Sequence, residues 1–188
     1  MRSILSVIIL SSTLIIISCN SSRKVSPGKP EEANAAEIRS TVVIKNKVAA
    51  RVINTKNISA NEVVNFAETL QGIKYTYGST VKEKGFDCSG LINYVFNHFK
   101  ISVPRTSVDF TNAGKEVSIK DARRGDLILF TGSDPRSGVV GHMGIITENN
   151  KGQIQFIHAA SGPGVMISGM NAYFVPRFVK VNRVFSVL

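Results

Sequence analysis

The chain has few of the residues from which thiol and metal sites are built, with only two cysteines and three histidines among 188 residues and no tryptophan. Its cysteines, Cys19 and Cys88, are far apart, so the Cys-x-x-Cys spacing typical of structural zinc sites is missing. A site that uses thiol and imidazole chemistry must therefore draw on most of the cysteines and histidines that the chain contains.

Acidic residues are also scarce. The chain has 13 Asp and Glu but 23 Lys and Arg, which gives a formal net charge of +10. The basic residues are dispersed and are not interleaved with aromatic residues, which argues against nucleic acid as a partner. Such a charge favours anionic neighbours, for example membrane head groups or cell-wall carboxylates, and it equally fits a solvated basic surface. At 43% hydrophobic residues, the chain can bury the core of one domain.

Long apolar runs are missing except at the N terminus. There the basic residue Arg2 precedes a mostly apolar stretch from Ile4 to Ile17. This run is shorter than the ~20 residues that a transmembrane helix needs. We therefore predict that residues 1–18 are an export signal peptide, with an uncleaved membrane anchor as the alternative.

The end of this run, Ile-Ile-Ser-Cys at residues 16–19, resembles a bacterial lipobox. The resemblance implies cleavage before Cys19 and attachment of acyl chains, such as palmitate, to that residue. The mature protein would then be lipid-anchored in the cell envelope on the extracytoplasmic side, which is the periplasmic face if the cell has an outer membrane. An ordinary signal peptide cut elsewhere is the alternative. With lipid on Cys19, Cys88 remains a free thiol.

The rest of the chain divides into a tether and one domain. Residues 19–57 hold the lipid attachment site and the tether, and residues 20–40 have the Ser-, Lys-, Pro-, Glu- and Ala-rich composition of a flexible linker. Residues 41–57 contain scattered valines and isoleucines, which fit either a strand or a segment that docks on the domain. We assign residues 58–188 to a single catalytic domain.

Helices come first in this domain and strands follow. A capping box at Ser59 and Glu62 predicts a helix over 60–71, and the apolar spacing after Cys88 predicts a second helix of roughly 12 residues. A short helix is also expected near 106–113. Helices followed by a meander predict an α+β fold, with N-terminal helices packed on an antiparallel β-sheet. The predicted strands span residues 126–130, 142–147, 153–159, 165–168 and 178–185.

Cys88 is the candidate nucleophile. It follows Asp87 and opens the second helix, where the helix dipole and a neighbouring histidine are expected to lower the pKa of its thiol. Ser89 and Gly90 are expected to leave backbone N–H groups free to stabilise an oxyanion. Taken alone, a free cysteine is more often an inert, buried residue.

His142 is the candidate base, because it opens a predicted strand between two small or flexible neighbours. His158 ends the next predicted strand, and an antiparallel hairpin with its turn at residues 149–152 would place the two rings side by side. His158 would then orient His142 and fix its tautomer. His98 lies on the polar side of its helix and is predicted to be a surface residue.

A catalytic zinc site is the rival interpretation of the same three residues, Cys88, His142 and His158, since three protein ligands and a water molecule form such a site. The sequence offers no local pair of ligands in its favour. We therefore expect no cofactor.

Six short stretches of the sequence carry distinctive motifs, namely residues 75–79, 86–91, 104–107, 125–130, 141–145 and 156–159. Taken together and in order over residues 60–186, they resemble the NlpC/P60 family. The resemblance implies a papain-like α+β fold, with a cysteine at a helix N terminus and a histidine on a strand. It also implies an endopeptidase that cleaves γ-D-glutamyl bonds to a diamino acid in the stem peptides of peptidoglycan.

Position by position, the resemblance implies that Cys88 is the nucleophile, His142 the base and His158 the third polar residue. It also implies that Tyr75 lines the site and helps to bind the oxyanion. This chain departs from the family pattern in carrying Ser79 where a glycine is usual, and in having one more residue between Tyr75 and Cys88.

Asp87, Ser89 and Arg105 lie in the same motifs and are candidate residues for contact with the substrate or the oxyanion. The insertion at residues 131–140 is expected to shape the substrate groove. The sequence thus predicts a lipid-anchored cysteine peptidase that acts on stem peptides through a Cys88 thioester. The alternatives are an amidase or transpeptidase on the same scaffold and a non-catalytic, wall-binding lipoprotein.

Overall fold

The structure, a computed structural model, describes residues 51–186. The predicted signal peptide, the lipid attachment site at Cys19 and the tether as far as residue 50 lie outside the described residues. Among residues 51–186, no helix is both long enough and apolar enough to cross a membrane.

The first helix, α1 (Ala60–Glu68), begins where the sequence predicts. Ser59 Oγ accepts the backbone N–H of Glu62 at 3.3 Å, and Glu62 Oε2 accepts the backbone N–H of Ser59 at 2.9 Å, which completes the capping box. The helix ends before the predicted residue 71. The reason is local: the hydroxyl and the backbone N–H of Thr69 both bond to the Phe66 carbonyl, and this tightens the last turn.

The second helix, α2 (Cys88–His98), has Asp87 as its N-cap and buries an apolar face as predicted. At its C-terminal end Lys100 adopts a left-handed conformation with φ of 58°. The backbone N–H of Ile101 then bonds back to the Phe96 carbonyl at 3.0 Å, as in a Schellman motif. The helix is therefore capped at both ends, and its first residue, Cys88, is held in a fixed position against the sheet.

The strands form a six-stranded sheet, and each of its strand pairs is antiparallel. The five strands predicted after residue 120 are confirmed within a few residues, and so is the α+β fold. A two-stranded hairpin and one edge strand were not predicted. In chain order the strands are β1 (Thr80–Val81), β2 (Gly85–Phe86), β3 (Lys115–Val117), β4 (Leu127–Thr131), β5 (Val140–Asn150), β6 (Gln153–Ala160), β7 (Gly164–Gly169) and β8 (Phe178–Arg183).

The order of strands in the large sheet is β3-β8-β4-β5-β6-β7, so β5 and β6 lie inside it and β7 is an edge strand. Short 3-10 helices connect several of these elements. They span Val108–Asn112, Ile119–Asp121 and Val175–Arg177. The first of them takes the place of the helix predicted near residues 106–113.

The sheet separates two apolar layers. Alternate residues of β4, such as Leu127 and Leu129, face α1 and α2, whereas Ile128 and Phe130 face a second cluster that contains Phe174. A strand that is buried on both faces reads as an uninterrupted apolar run, as β4 does. Burial of each such side chain contributes about 1.5–3 kcal/mol, and this holds the strands in one register.

The chain joins the domain ahead of residue 58. Arg51 forms a backbone bridge with Ala113, and its N–H donates to the Asn112 carbonyl at 2.7 Å. Ile53 is 6% exposed and belongs to the core beneath the helices. Of the two structures considered for residues 41–57, docking on the domain is the one observed for residues 51–55.

We expect Ile53→Ala to lower the free energy of unfolding by about 2 kcal/mol, because it leaves a cavity in the core. Val52→Ala is the matched control, since Val52 is 87% exposed and should have almost no effect. Urea unfolding of the two full-length variants measures the difference. Equal stabilities would show that residues 51–55 do not pack on the domain in solution.

Candidate active site

Cys88 is the first residue of α2, and its position is set by the cap that precedes it. Asp87 Oδ1 accepts the backbone N–H of Gly90 at 2.5 Å. Gly90 also permits the close approach of the Ser79 carbonyl, which would lie 2.0 Å from a Cβ atom at this position. The Gly90 N–H is therefore engaged by the cap and does not itself face an oxyanion.

Asp87 anchors a second segment of the chain. Its Oδ2 forms an ion pair with Arg105 at 2.9 Å, and Arg105 also donates to Ser89 Oγ at 2.9 Å. Asn93 Nδ2 donates to the Pro104 carbonyl at 2.6 Å. Together these contacts hold the loop after residue 104 against the start of α2. The three predicted contact residues Asp87, Ser89 and Arg105 are thus neighbours, and their side chains bond to one another.

The held loop brings Ser107 to the thiol. Cys88 Sγ lies 3.2 Å from Ser107 Oγ and 3.9 Å from the Gly141 carbonyl oxygen. Among the described residues, no hydrogen bond joins the thiol to the ring of His142. The thiol thus lies beside the backbone of β5 at Gly141, the residue before the predicted base His142. Its nearest hydrogen-bond partner is the hydroxyl of Ser107.

Burial raises the pKa of the Cys88 thiol, the Ser107 hydrogen bond opposes this effect, and the negative charge of Asp87 adds to it. The prediction that the pKa of the thiol is lowered was therefore wrong. Cys88 is 8% exposed, and the loss of hydration outweighs the favourable position at the helix start. The thiol is protonated at neutral pH.

The hairpin of β5 and β6 places the two histidines together, as the sequence predicts. His142 Nε2 lies 2.9 Å from His158 Nδ1. His158 makes a further contact through its other ring nitrogen, since Nε2 lies 2.9 Å from Ser168 Oγ on β7. Three neighbouring strands thus contribute one polar side chain each to a continuous chain of contacts.

An irregularity in β5 adapts this strand to the site. His142 pairs with Phe130 and Val140 pairs with Thr131, so Gly141 is an extra residue without a partner on β4. Such a β-bulge bends the strand locally. Here it coincides with the point at which the Gly141 carbonyl meets the Cys88 thiol, which explains how a central strand approaches the helix start so closely.

Aromatic rings surround both imidazoles. The ring centroid of Phe174 lies 6.2 Å from that of His142 and 5.3 Å from that of His158. Burial lowers the pKa of His142 to about 4, and burial together with the charge of His142 lowers the pKa of His158 to about 3. Both rings are therefore neutral at neutral pH, so the thiol and the two imidazoles are all uncharged at rest.

Tyr75 lies within electrostatic reach of the thiol. Partial burial raises the pKa of its hydroxyl, and the charges of the Cys88 thiolate and Asp87 raise it further. The hydroxyl is consequently a hydrogen-bond donor at neutral pH.

His98, in contrast, is exposed as predicted, and its ring stacks on Phe66 with centroids 3.8 Å apart.

Two serines of the site were not predicted. Ser107 belongs to the motif at residues 104–107, and its position shortly after Arg105 could have suggested a role. Ser168 lies in a short strand without any distinctive motif, and the only available signal was the pairing of that strand with β6. Within residues 51–186, no three His, Cys, Asp or Glu side chains are grouped as a metal site requires.

A surface cavity of about 520 Å³ lies elsewhere on the described part of the chain, between residues 51–56 and 100–104. None of the predicted site residues lines it. The thiol and the histidines are therefore not in this cavity.

Residues 72–183 match the model of the NlpC/P60 family. The chain belongs to the NlpC/P60 family. Relatives include the murein DD-endopeptidase MepS/murein LD-carboxypeptidase of Escherichia coli K12, which is 30% identical over 92% of this chain and 88% of its own length. The probable peptidoglycan endopeptidase LytE of Bacillus subtilis is 40% identical over 68% of this chain and 35% of its own length.

Solved structures of this family share the fold. The NlpC/P60 domain of the peptidoglycan hydrolase SagA matches with a TM-score of 0.55 and 29% identity, over 67% of this chain and 99% of that one. A lipoprotein-like NLP/P60 protein of Staphylococcus aureus matches with a TM-score of 0.57 and 30% identity, over 66% of this chain but 41% of its own. The predicted family, papain-like fold and cysteine-peptidase class are confirmed.

We expect iodoacetamide to alkylate Cys88 of the full-length protein at a rate that keeps rising above the pH at which an ordinary thiol, with a pKa of about 8.5, has levelled off. The reason is that burial raises the pKa of the Cys88 thiol. Mass spectrometry of the peptide that carries Cys88 measures the rate. A rate that is constant across the neutral range would instead indicate a thiolate–imidazolium pair at rest.

We also expect the protein to lose stability on acidification. The folded-state pKa values of His142 and His158 lie below the unfolded value of 6.5, so the unfolded chain binds more protons in acid. The contribution of the two histidines to stability is complete above about pH 6.5 and is lost as the pH falls through about 4 for His142 and about 3 for His158. Urea unfolding at several pH values measures it, and His158→Gln should flatten the dependence. An unchanged slope in that variant would contradict the buried, neutral state of His158.

Proposed function

We propose that the chain is a cysteine endopeptidase of peptidoglycan that cleaves amide bonds in stem peptides, principally the γ-D-glutamyl bond to a diamino acid. The observation that carries this proposal is the contact between His142 Nε2 and His158 Nδ1 at 2.9 Å. Because His142 Nε2 is hydrogen-bonded to His158, the other ring nitrogen of His142, Nδ1, is the one that can accept the proton of the Cys88 thiol. Relatives named as peptidoglycan endopeptidases and a γ-DL-glutamyl hydrolase of Bacillus subtilis support the substrate class.

In the proposed reaction the thiol first leaves Ser107 and turns towards His142. His142 Nδ1 takes the thiol proton as Cys88 Sγ attacks the carbonyl carbon of the scissile amide. The tetrahedral intermediate collapses when the imidazolium gives this proton to the leaving amine, and a thioester remains on Cys88. Because both partners are neutral at rest, proton transfer accompanies attack and does not precede substrate binding.

The oxyanion of the intermediate needs hydrogen-bond donors. The backbone N–H of Cys88 at the start of α2 is one candidate, since nothing in the helix can accept from this position. The Tyr75 hydroxyl, which stays protonated, is the other. Water then attacks the thioester carbonyl with His142 as the base, and the acid product and the free thiol are released.

Arg105 is the candidate for contact with a substrate carboxylate. Its side chain is 41% exposed although it is paired with Asp87, so its guanidinium is open to the solvent as well as to its partner. A guanidinium recognises a carboxylate through two parallel hydrogen bonds. In this proposal Asp87 and Ser89 act on the substrate through Arg105, because their own side chains are buried.

A second scissile bond is also proposed as a candidate. The relative that matches along most of both chains is named a murein DD-endopeptidase and murein LD-carboxypeptidase. Its name supports a bond in the peptide cross-link as a second candidate beside the γ-D-glutamyl bond. Amidase or transpeptidase action would use the same thioester with a different acceptor. A non-catalytic, wall-binding protein has no need of two histidines in contact through their ring nitrogens, which makes it the weakest alternative.

The test is digestion of purified peptidoglycan by the full-length protein, with mass spectrometry of the released fragments. We expect Cys88→Ser and His142→Ala to lower the rate by at least about 10³-fold and His158→Gln by about tenfold. New N termini on the diamino acid indicate cleavage of the γ-D-glutamyl bond, whereas loss of cross-linked dimers alone indicates the cross-link bond. Full activity of Cys88→Ser would refute the thioester mechanism.

We also propose that acyl chains on Cys19 hold the protein on a membrane and that the residues after it act as a tether. The lipobox-like sequence at residues 16–19 supports this proposal. Cys19→Ser should move the protein from the membrane fraction to the soluble fraction while its hydrolytic rate is retained. Fractionation followed by immunoblotting measures the distribution. A variant that stays with the membranes after a salt wash would show that attachment does not depend on lipid at Cys19.

A further inference from the structure

Ser168 contacts the ring of His158 on the side opposite to His142. It lies on the edge strand β7, directly opposite Phe156 of β6 and two residues beyond Met166, which pairs with His158. Its Oγ is 2.9 Å from His158 Nε2. Ser168 is therefore the last member of a series of hydrogen-bonded groups that begins at His142 and includes both ring nitrogens of His158.

The number of protons on the two rings limits the directions in which these hydrogen bonds can run. Each neutral imidazole has one N–H donor and one nitrogen acceptor, and both rings are neutral at neutral pH. Two arrangements satisfy both contacts. In the first, His142 Nε2–H donates to His158 Nδ1, and His158 Nε2–H donates to Ser168 Oγ. In the second, every donor and acceptor is exchanged, and the Ser168 hydroxyl donates to His158.

Only the first arrangement makes His142 a base. There its Nδ1 carries a lone pair that can accept the Cys88 proton, whereas in the second arrangement Nδ1 already carries a hydrogen. The first arrangement also suits the imidazolium formed during the reaction, because His142 Nε2–H continues to donate to an unprotonated His158 Nδ1. The proton required on His158 Nε2 needs an acceptor, and Ser168 Oγ is the group in contact with it.

We propose that Ser168 is a positioning residue, whose hydroxyl oxygen accepts a hydrogen bond from His158 Nε2–H and thereby fixes the tautomers of both histidines. The inference rests on the proposed role of His142 as the base. Ser168 touches neither the substrate nor the thiol, and it acts through His158 alone.

The surroundings of the two partners differ in a way that supports this direction. His158 is 2% exposed, so without the hydroxyl its outer nitrogen has little access to water. Ser168 is half-buried on an edge strand, so its own O–H can donate to solvent while its oxygen accepts from the ring. Removal of the hydroxyl leaves either an unpaired N–H or an unpaired lone pair on His158, and the preference for the productive tautomer disappears.

The experiment combines ring ¹⁵N NMR of the full-length protein with kinetics. The chain has three histidines, and the exposed His98 provides an internal reference. The chemical shifts separate protonated from unprotonated ring nitrogens. In the unmodified protein we expect a proton on Nε2 of both His142 and His158. Ser168→Ala should populate forms with a proton on Nδ1 and lower kcat about tenfold with little change in KM, the factor that corresponds to about one net hydrogen bond.

Ser168→Thr keeps a hydroxyl and should restore both the tautomers and kcat. Ser161→Ala, in the exposed turn between β6 and β7, is the matched control and should leave tautomers and kcat unchanged. Protons on Nδ1 of both rings in the unmodified protein would overturn the inference even if no variant folded. Unchanged tautomers in a folded Ser168→Ala variant would also overturn it.

These outcomes differ from a failure of the proposed function. The ring spectra are recorded without substrate, so they report on Ser168 whether or not the chain hydrolyses peptidoglycan. Activity that persists in Cys88→Ser or His142→Ala would instead refute the proposed reaction and leave the tautomer result standing.

Discussion

The register between β5 and β6 is the constraint on which the rest of the site depends. A slip of one residue would turn each side chain of a strand to the other face of the sheet and separate His142 from His158. Core packing prevents such a slip, because Ile145 pairs with Ile157 beneath the helices while Ile146 pairs with Phe156 on the opposite side. The contact between His142 and His158 is thus maintained by apolar side chains elsewhere on the two strands.

The thiol is held by a different mechanism, which is polar and local. The Asp87 carboxylate caps α2 and pairs with Arg105, so one side chain fixes both the helix start and the loop that carries Ser107. The sheet meets this assembly at the bulge of Gly141. The start of α2 and strand β5, which are far apart in sequence, therefore meet through backbone and cap geometry. Small changes in either element would displace the thiol relative to the Gly141 carbonyl.

Sequence reasoning recovered what short-range patterns encode. The capping box, the apolar face of α2 and the alternating strands each have a period or a motif, and the turn at Lys151–Gly152 explains why His158 lies beside His142. The pKa of Cys88 was predicted in the wrong direction, because a helix start is visible in a sequence whereas the burial of a single thiol is not. Ser168 was missed for a similar reason, since its contact depends on the pairing of a third strand.

Burial of the site has one consequence for the thiol that the separate contacts do not show. A thiolate oxidises far more readily than a protonated thiol, and accessibility increases the risk. Burial makes Cys88 protonated and poorly accessible, while the same burial keeps His142 unprotonated. The thiol thus has low reactivity towards oxidants at rest, while the imidazole of His142 is free of the extra proton. In the envelope compartment proposed for this protein, a thiol in this state is protected from oxidation. In the proposed mechanism it gives its proton to His142 only as it attacks a substrate carbonyl.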